Sequence, residues 1–341
     1  MEVQCKLVTN EVIYNNQSNT DTGMPKVKFS EYQLLDGRVV TQIQRVADGS
    51  VIKRFDKTPI PEKESDVICP HFLELKWANG CNFDCAWCYL NGTFRFRPQK
   101  KKPYLKDKEK IIEHLEALLQ ENVNRFEILN SGELADSLVY EGKEFSLSQD
   151  IIPLFKKYHK HKLLVLTKST NIKGVLASDS QDVVIPSFSL NAYCVSERWE
   201  RNAPHPRERI KAAQELYNHG YHVRVRIDPM VPVENWRDHY LSLVDEIFNH
   251  FVPERITLGS LRGLQSTINN SPDKSWVDYL SEKSNWGKKI DSNTRYDMFK
   301  VVIDHLTEKY NYSSVGLCKE TKEIWKRLNM DFSNIKCNCI W

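Results

Sequence analysis

Strand-like and helix-like segments alternate along this chain from residue 72 onward, and no other feature restricts the fold as much. Phe72–Trp77 is strand-like, and Lys106–Gln120 has helical periodicity with Ile111, Ile112, Leu115, Leu118 and Leu119 on one side. Further strands are predicted at 125–129, 162–166, 183–190, 222–227 and 255–258, and helices at 148–158, 207–218, 238–250 and 293–310. One more strand is expected at 313–317. Gly220 suits the C-terminal cap of the 207–218 helix, and Asp228–Pro229 ends the strand after it. Such alternation builds parallel βα units with right-handed crossovers. Six units fit between residue 72 and about 310, too few for a closed eight-unit barrel. The expected fold class is α/β, a partial (βα)6 TIM-type barrel, with an open doubly wound sheet as the alternative. Either fold places active residues just beyond the strand C-termini.

Residues 1–68 lack this regularity. Short alternating stretches such as Val39–Ile43 and Ser50–Lys53 predict an N-terminal extension with a few strands or hairpins. The barrel is assigned to 69–310, and 311–341 to a C-terminal cysteine-containing tail that closes it. Hydrophobic residues make up 40% of the 341, enough for a sizeable core, and the 27% of charged residues argues against wholesale disorder. No apolar run approaches the roughly 20 residues of a membrane span. The opening MEVQCKLVTNEV has no basic region followed by an apolar stretch, so a cytoplasmic protein with no membrane partner is expected. A net charge of +3 falls short of the strongly basic balance of a dedicated nucleic-acid binder. The one basic run, Arg95–Lys102, suits a solvated loop or a phosphate contact.

Nine cysteines, an odd number clustered in two places, do not form a disulfide framework and point to metal or redox chemistry. Cys81, Cys85 and Cys88 have the spacing C-x3-C-x2-C on the loop after the first barrel strand. Three thiolates on a short loop can hold three irons of a cubane and leave the fourth open to a small molecule, unlike the four-cysteine ferredoxin arrangement. A zinc site would need a fourth ligand, with His71 or Cys69 available, and three buried cysteines without metal are a further alternative. Spacing, the aromatic Trp87 before the last cysteine, and position favour the cluster. Cys5, Cys69 and Cys194 read as packing residues. Cys318, Cys337 and Cys339 can ligate a second cluster or zinc, supply a hydrogen atom or proton to the active site, or belong to a buried tail plugged by Trp341.

The cysteine motif resembles the radical S-adenosylmethionine (SAM) superfamily. The resemblance implies a [4Fe–4S] cluster on Cys81, Cys85 and Cys88, SAM chelated at the open iron, a 5′-deoxyadenosyl radical, and a flavodoxin or ferredoxin-type electron donor. Ser131–Gly132–Glu133, after the second strand, looks like the turn that holds the SAM amino group. Lys168 then suits the SAM carboxylate, Ser189 and Asn191 the ribose hydroxyls, and Tyr89 the cofactor side of the loop. Arg224, Arg226 and Asp228 alternate on one strand, so they share a face, as an ion-pair network or as pocket lining.

A closer resemblance covers about residues 70–265. The cysteine motif followed by Tyr89–Leu90, Leu166–Thr167–Lys168–Ser169, Ser189-x-Asn191, Pro206–Arg209, Gly220–Tyr221, Arg226–Pro232 and Thr257–Arg262 look like spore photoproduct lyase and its relatives. Gly316–Glu320 and Cys337–Cys339 match a C-terminal pattern of the group. The photoproduct lyases carry a hydrogen-donating cysteine just after the second strand, and Phe126–Ser137 contains none; Trp87 stands where they have tyrosine. The queuine lyases of the same group act on a small free base, so neither base flipping nor a basic groove is needed. The resemblance therefore implies a radical SAM lyase that breaks a C–N bond in a modified nucleobase, queuine to 7-aminomethyl-7-deazaguanine, in salvage for tRNA modification. Repair of a DNA lesion and a non-catalytic zinc-binding protein are the alternatives. Asp136, Glu200 and Asp228 are the carboxylates expected to read a guanine-like edge, with Arg226 beside them.

Overall fold

The computed structural model describes residues 23–123 and 125–341; Cys5 lies outside them. Ten strands form one sheet, and their order across it is their order along the chain. The first three, β1 (Val27–Gln33), β2 (Val39–Val46) and β3 (Ile52–Phe55), are antiparallel. β3 pairs antiparallel with β4 (Phe72–Leu75). From there every pairing is parallel, through β5 (Ile128–Asn130), β6 (Lys162–Thr167), β7 (Val184–Leu190), β8 (Arg224–Met230), β9 (Arg255–Ser260) and β10 (Val315–Leu317). A doubly wound sheet reverses its strand order at a switch point. This one never does, so it is the singly wound partial barrel that the alternation predicts.

The N-terminal strands depart from the sequence reading. They are not an appendage but extend the barrel's own sheet beyond β4. Buried Arg54 of β3 fixes the junction, donating to the Ile43 carbonyl at 2.7 Å and pairing with Glu127 at 2.6 Å. A guanidinium held in the core is tolerable only with such partners. β8 also departs: it runs on through Asp228–Pro229 to Met230, where the ladder to β9 resumes after a register shift.

The crossovers follow the predicted helices closely. α1 (Lys108–Gln120) starts at Asp107, whose carboxylate accepts from the Lys110 amide at 2.8 Å, and it buries Ile111, Leu115, Leu118 and Leu119. α2 (Ile152–Tyr158) is entered through a π-turn at Leu147–Ile151. α3 (Lys173–Ala177) and α4 (Tyr193–Trp199) are too short for a periodic signature. α5 (Pro206–Asn218) ends at Gly220, φ +86°, where the Tyr221 amide returns to the Leu216 carbonyl. α6 (Trp236–His250) and α7 (Ser292–Tyr310) complete the outer layer. No helix among the described residues is long and apolar enough to cross a membrane.

The sheet's inner face is filled from below by a small cluster of Ile128, Leu164 and Ile185. The chain's last residues occupy the space above it. The fully buried Asn338 donates to Ser187 Oγ and the Val225 carbonyl, both at 2.9 Å, and accepts from Thr257 Oγ1 at 2.8 Å. One side chain thereby binds β7, β8 and β9. Arg224 supports the same tail from below, donating to the Asn338 and Ile340 carbonyls while pairing with Glu254. The gap between β4 and β10 is bridged by Val67–Ile68, which pairs antiparallel with Glu320–Thr321.

His161, just before β6, accepts a hydrogen bond from the Glu127 amide at 3.0 Å, and burial lowers its imidazole to about 4. The native state therefore binds fewer protons than the unfolded chain between pH 6.5 and pH 4. Stability from this group is fully present above about pH 6.5 and is lost as pH falls through that window, by about 3 kcal/mol in all. Thermal unfolding followed across the window should show the loss, and His161→Asn should flatten it.

Candidate active site

Residues 78–89, following β4, form the loop that carries the cysteine triad. Gly80 sits at φ +90°, and a Cβ there would lie 2.4 Å from the Lys101 carbonyl oxygen, so only glycine lets the two segments touch. The Cys81 amide donates to that same carbonyl at 2.8 Å. Lys101 folds back over the loop, donating to the Phe83 carbonyl and pairing with Asp84 at 3.1 Å. This corrects the reading of the basic run as merely solvated or phosphate-binding: at Lys101 it is a brace behind the cysteines. On the other flank Cys85 and Asp84 pair with Glu200 and Arg201 in a short antiparallel ladder, and the Ala86 amide donates to the Trp199 carbonyl.

Cys81, Cys85 and Cys88 line one cavity of about 300 Å³ at the C-terminal rim of the parallel strands. Burial raises the Cys81 thiol strongly and pushes Cys85 up to about 12, so metal must displace protons to bind. Among the described residues no three His, Cys, Asp or Glu side chains gather as ligands of a single ion. His71, the proposed fourth zinc ligand, is hydrogen-bonded through Nε2 to the Thr58 carbonyl at 2.9 Å. Three thiols spread around an open space suit the corners of a polynuclear cluster better than one tetrahedral ion.

Gly132 and Glu133 line the same cavity. Glu133 is aimed by two donors, Asn130 Nδ2 at 2.9 Å and the Tyr89 hydroxyl at 3.4 Å, and its carboxylate keeps capacity for an ammonium. Tyr89 thus orients the carboxylate from the cysteine loop. Lys168 donates to Ser189 Oγ at 2.8 Å, and both line the cavity. Burial works against the Lys168 charge, but Glu200, 3.6 Å away, more than restores it.

Four of the expected contact residues have hydrogen-bond partners within the protein. Ser131 lies outside the cavity lining, its hydroxyl held by Ser137 Oγ and the Leu164 carbonyl. Asn191 lies outside the cavity lining; it donates to the Pro229 carbonyl and accepts from the Ala192 amide and the Tyr240 hydroxyl, which locks the β7 exit. Asp136 borders the cavity and accepts from Leu138 N, Thr167 Oγ1 and Lys168 N, three of its about four acceptor sites. Glu200 is buried behind the loop against Arg209 at 2.7 Å, and its backbone pairs with that of Cys85. Removing one partner of such a pair costs about 3–5 kcal/mol. Arg209→Met should therefore lower the urea midpoint markedly while Arg207→Met, on the exposed face, leaves it nearly unchanged.

Arg226 and Asp228 do face the cavity. Burial opposes ionisation of Asp228, but Arg262 beside it holds its carboxyl down to about 2. The two form a bidentate pair at 2.8 and 2.9 Å. Gly259 makes room for this carboxylate, since a Cβ there would lie 2.3 Å from Oδ1. Arg226 donates to Cys339 Sγ at 3.0 Å. Cys318, Cys337 and Cys339 all line the cavity, as does Cys69, which was read as packing and sits 3.6 Å from Lys319 Nζ. Seven of the eight described cysteines therefore share one space, and Cys194 is the exception. Sequence reasoning missed Phe55, Trp286 and Lys319, which meet in the cavity from three distant segments and share no local motif.

Comparison with known proteins matches residues 71–260 to the spore photoproduct lyase family model. The spore photoproduct lyase of Clostridium acetobutylicum is 24% identical over 174 residues, covering 50% of each chain. That of Bacillus subtilis is 23% identical over 176 residues, covering 51% of this chain and 50% of its own. The chain thus spans about half the length of these curated relatives. Among solved structures, a spore photoproduct lyase complexed with dinucleoside spore photoproduct superposes with a TM-score of 0.61 at 15% identity, over 72% of this chain and 75% of that one. A mutant form with bound AdoMet and the dinucleoside gives 0.60 at 15% identity, over 73% and 76%. These likenesses extend the partial-barrel fold, and the family match covers more than half the sequence: the chain belongs to the spore photoproduct lyase family.

Proposed function

We propose that this protein is a radical SAM lyase acting on a modified nucleobase. The observation that carries the reading is the convergence of Cys81, Cys85, Cys88 and the oriented Glu133 on one cavity at the strand C-termini. Cys81, Cys85 and Cys88 would hold a [4Fe–4S] cluster, Glu133 would take the SAM amino group, and Lys168 with Ser189 the carboxylate or ribose side. When bound, the cluster and SAM supply a 5′-deoxyadenosyl radical that removes a substrate hydrogen atom. The chain's own part is to aim that chemistry and keep it dry. Phe83, Trp87 and Leu90 cover the cluster side, and Arg226 and the Asp228–Arg262 pair supply the polar wall opposite. A flavodoxin or ferredoxin-type protein would deliver the electron.

For the substrate we favour a free deazaguanine base, queuine, released as 7-aminomethyl-7-deazaguanine. No cysteine follows β5, and the thiols that face the cavity come instead from β10's exit and the tail, Cys318, Cys337 and Cys339. These are the groups placed to return a hydrogen atom or proton. A second reading, repair of a DNA lesion, is favoured by the family match and by relatives named for the spore photoproduct. Anaerobic turnover with SAM, reductant and either queuine or the dinucleoside photoproduct separates them by mass spectrometry. Formation of 7-aminomethyl-7-deazaguanine supports the first; deoxyadenosine with repaired dinucleoside and no deazaguanine product replaces it with the second.

A further inference from the structure

Residues 94–106 carry six lysine and arginine side chains and no carboxylate, in a chain whose net charge is only +3. Among the described residues, Lys101 alone of the six reaches a carboxylate, that of Asp84. Arg95, Lys100 and Lys102 stand exposed. Phe96, at 84%, is the most exposed large hydrophobic side chain among the described residues. Arg95 lies over its ring at 4.1 Å from the centroid, and Arg97 lies over Phe94 and Tyr104 at 4.9 and 5.7 Å. Arginine and aromatic side chains are the types that carry most of the energy of protein interfaces.

This loop is fastened to the one that bears the cysteine triad. Tyr104–Leu105 pairs antiparallel with Ala78–Asn79, just ahead of Cys81. The Lys101 carbonyl accepts from the Cys81 amide, and the Lys101 ammonium donates to the Phe83 carbonyl. The Phe83 amide in turn donates to Cys81 Sγ at 3.4 Å. A single hydrogen bond thus separates the basic loop's backbone from the residue that bears the first thiol. Residues 94–106 nonetheless lie outside the cavity lining.

We infer that the 94–106 loop is the docking surface for an acidic one-electron donor protein of the flavodoxin or ferredoxin type. The inference rests on the radical lyase reading and names where its electron enters. Unpaired cations around an exposed ring complement an acidic protein face and speed its encounter. A nucleic-acid substrate has to place a base in the cavity, which a patch outside the lining does not serve. A partner that delivers only an electron needs no more than contact with the cysteine loop. The donor loses one electron and the cluster gains it, with no bond made or broken, so no group has to cross the interface.

The test is equilibrium binding of a purified acidic flavodoxin, and separately of a duplex oligonucleotide, to the anaerobic cluster-loaded protein. Cluster absorbance is recorded for every variant as the check on folding. The wild type should bind flavodoxin, and less tightly as salt rises from about 0.01 M to about 1 M. Phe96→Ala, and Lys100→Glu combined with Lys102→Glu, should each weaken that binding about tenfold. Lys173→Glu combined with Lys211→Glu, exposed cations on α3 and α5, should leave it unchanged. 5′-Deoxyadenosine formation driven by limiting reduced flavodoxin should fall in the loop variants, while formation driven by dithionite holds at the wild-type rate. No flavodoxin binding, unaltered binding in both loop variants, equal weakening in the control, or loop-dependent binding of the oligonucleotide alone would overturn the inference. If dithionite yields no 5′-deoxyadenosine in the wild type, the lyase reading is lost, and flavodoxin binding still decides the surface.

Discussion

Replacing any one of Cys81, Cys85 or Cys88 by alanine is expected to abolish the brown chromophore of anaerobically loaded protein and reduce 5′-deoxyadenosine formation by about a thousandfold or more, some 4 kcal/mol on the barrier. The reason is geometric. The three thiols reach the cavity from one loop whose backbone is fixed at Gly80 by Leu134, at Cys81 by Lys101 and at Ala86 by Trp199. Two remaining thiolates cannot secure three irons. Cys194→Ala, outside the cavity, should retain both iron and activity. Iron analysis with the deoxyadenosine assay checks both outcomes. Equal loss in the Cys194 variant would point to general instability, and retained activity in the triad variants would remove the cluster from the account.

The second large effect is expected at Asn338. Its side chain satisfies buried groups on three neighbouring strands, and its own amide donates to Thr257 Oγ1 at 2.9 Å. Asn338→Ala strands Ser187 Oγ and the Val225 carbonyl in a sealed interior, at about 1–3 kcal/mol for each group, or about 4 kcal/mol together. Urea unfolding should record that loss. Trp341→Ala removes a half-exposed ring whose indole donates only to the Phe126 carbonyl, and should cost far less. If Asn338→Ala were neutral, the tail would not be a structural part of the barrel interior.

Periodicity made the barrel legible because six long segments repeat the same strand-to-helix switch, with apolar spacing such as that of α1. The cysteine triad was legible because its three members are local in sequence. The N-terminal strands were legible as strands but not as part of the barrel sheet, since their pairing depends on Arg54 meeting Glu127 across 73 residues. Individual contacts were less legible, for one physical reason. Asn191, Ser131, Asp136 and Glu200 sit at or near strand ends, where polar side chains serve either ligands or turns, and only the hydrogen-bond partners decide. Trp286 and Phe55 carry no pattern, and Lys319 lies in the Gly316–Glu320 stretch without its partners being legible until folding brings the gap between β4 and β10 together.

The most direct test of the central claim is the low-temperature electron paramagnetic resonance spectrum of the reduced, anaerobically loaded protein, recorded without and with SAM. A cluster held by three cysteines with one iron open should give a reduced [4Fe–4S] signal that changes shape when SAM is added. A protein that holds only zinc and gives no signal, or a cluster signal that SAM leaves untouched, would contradict it.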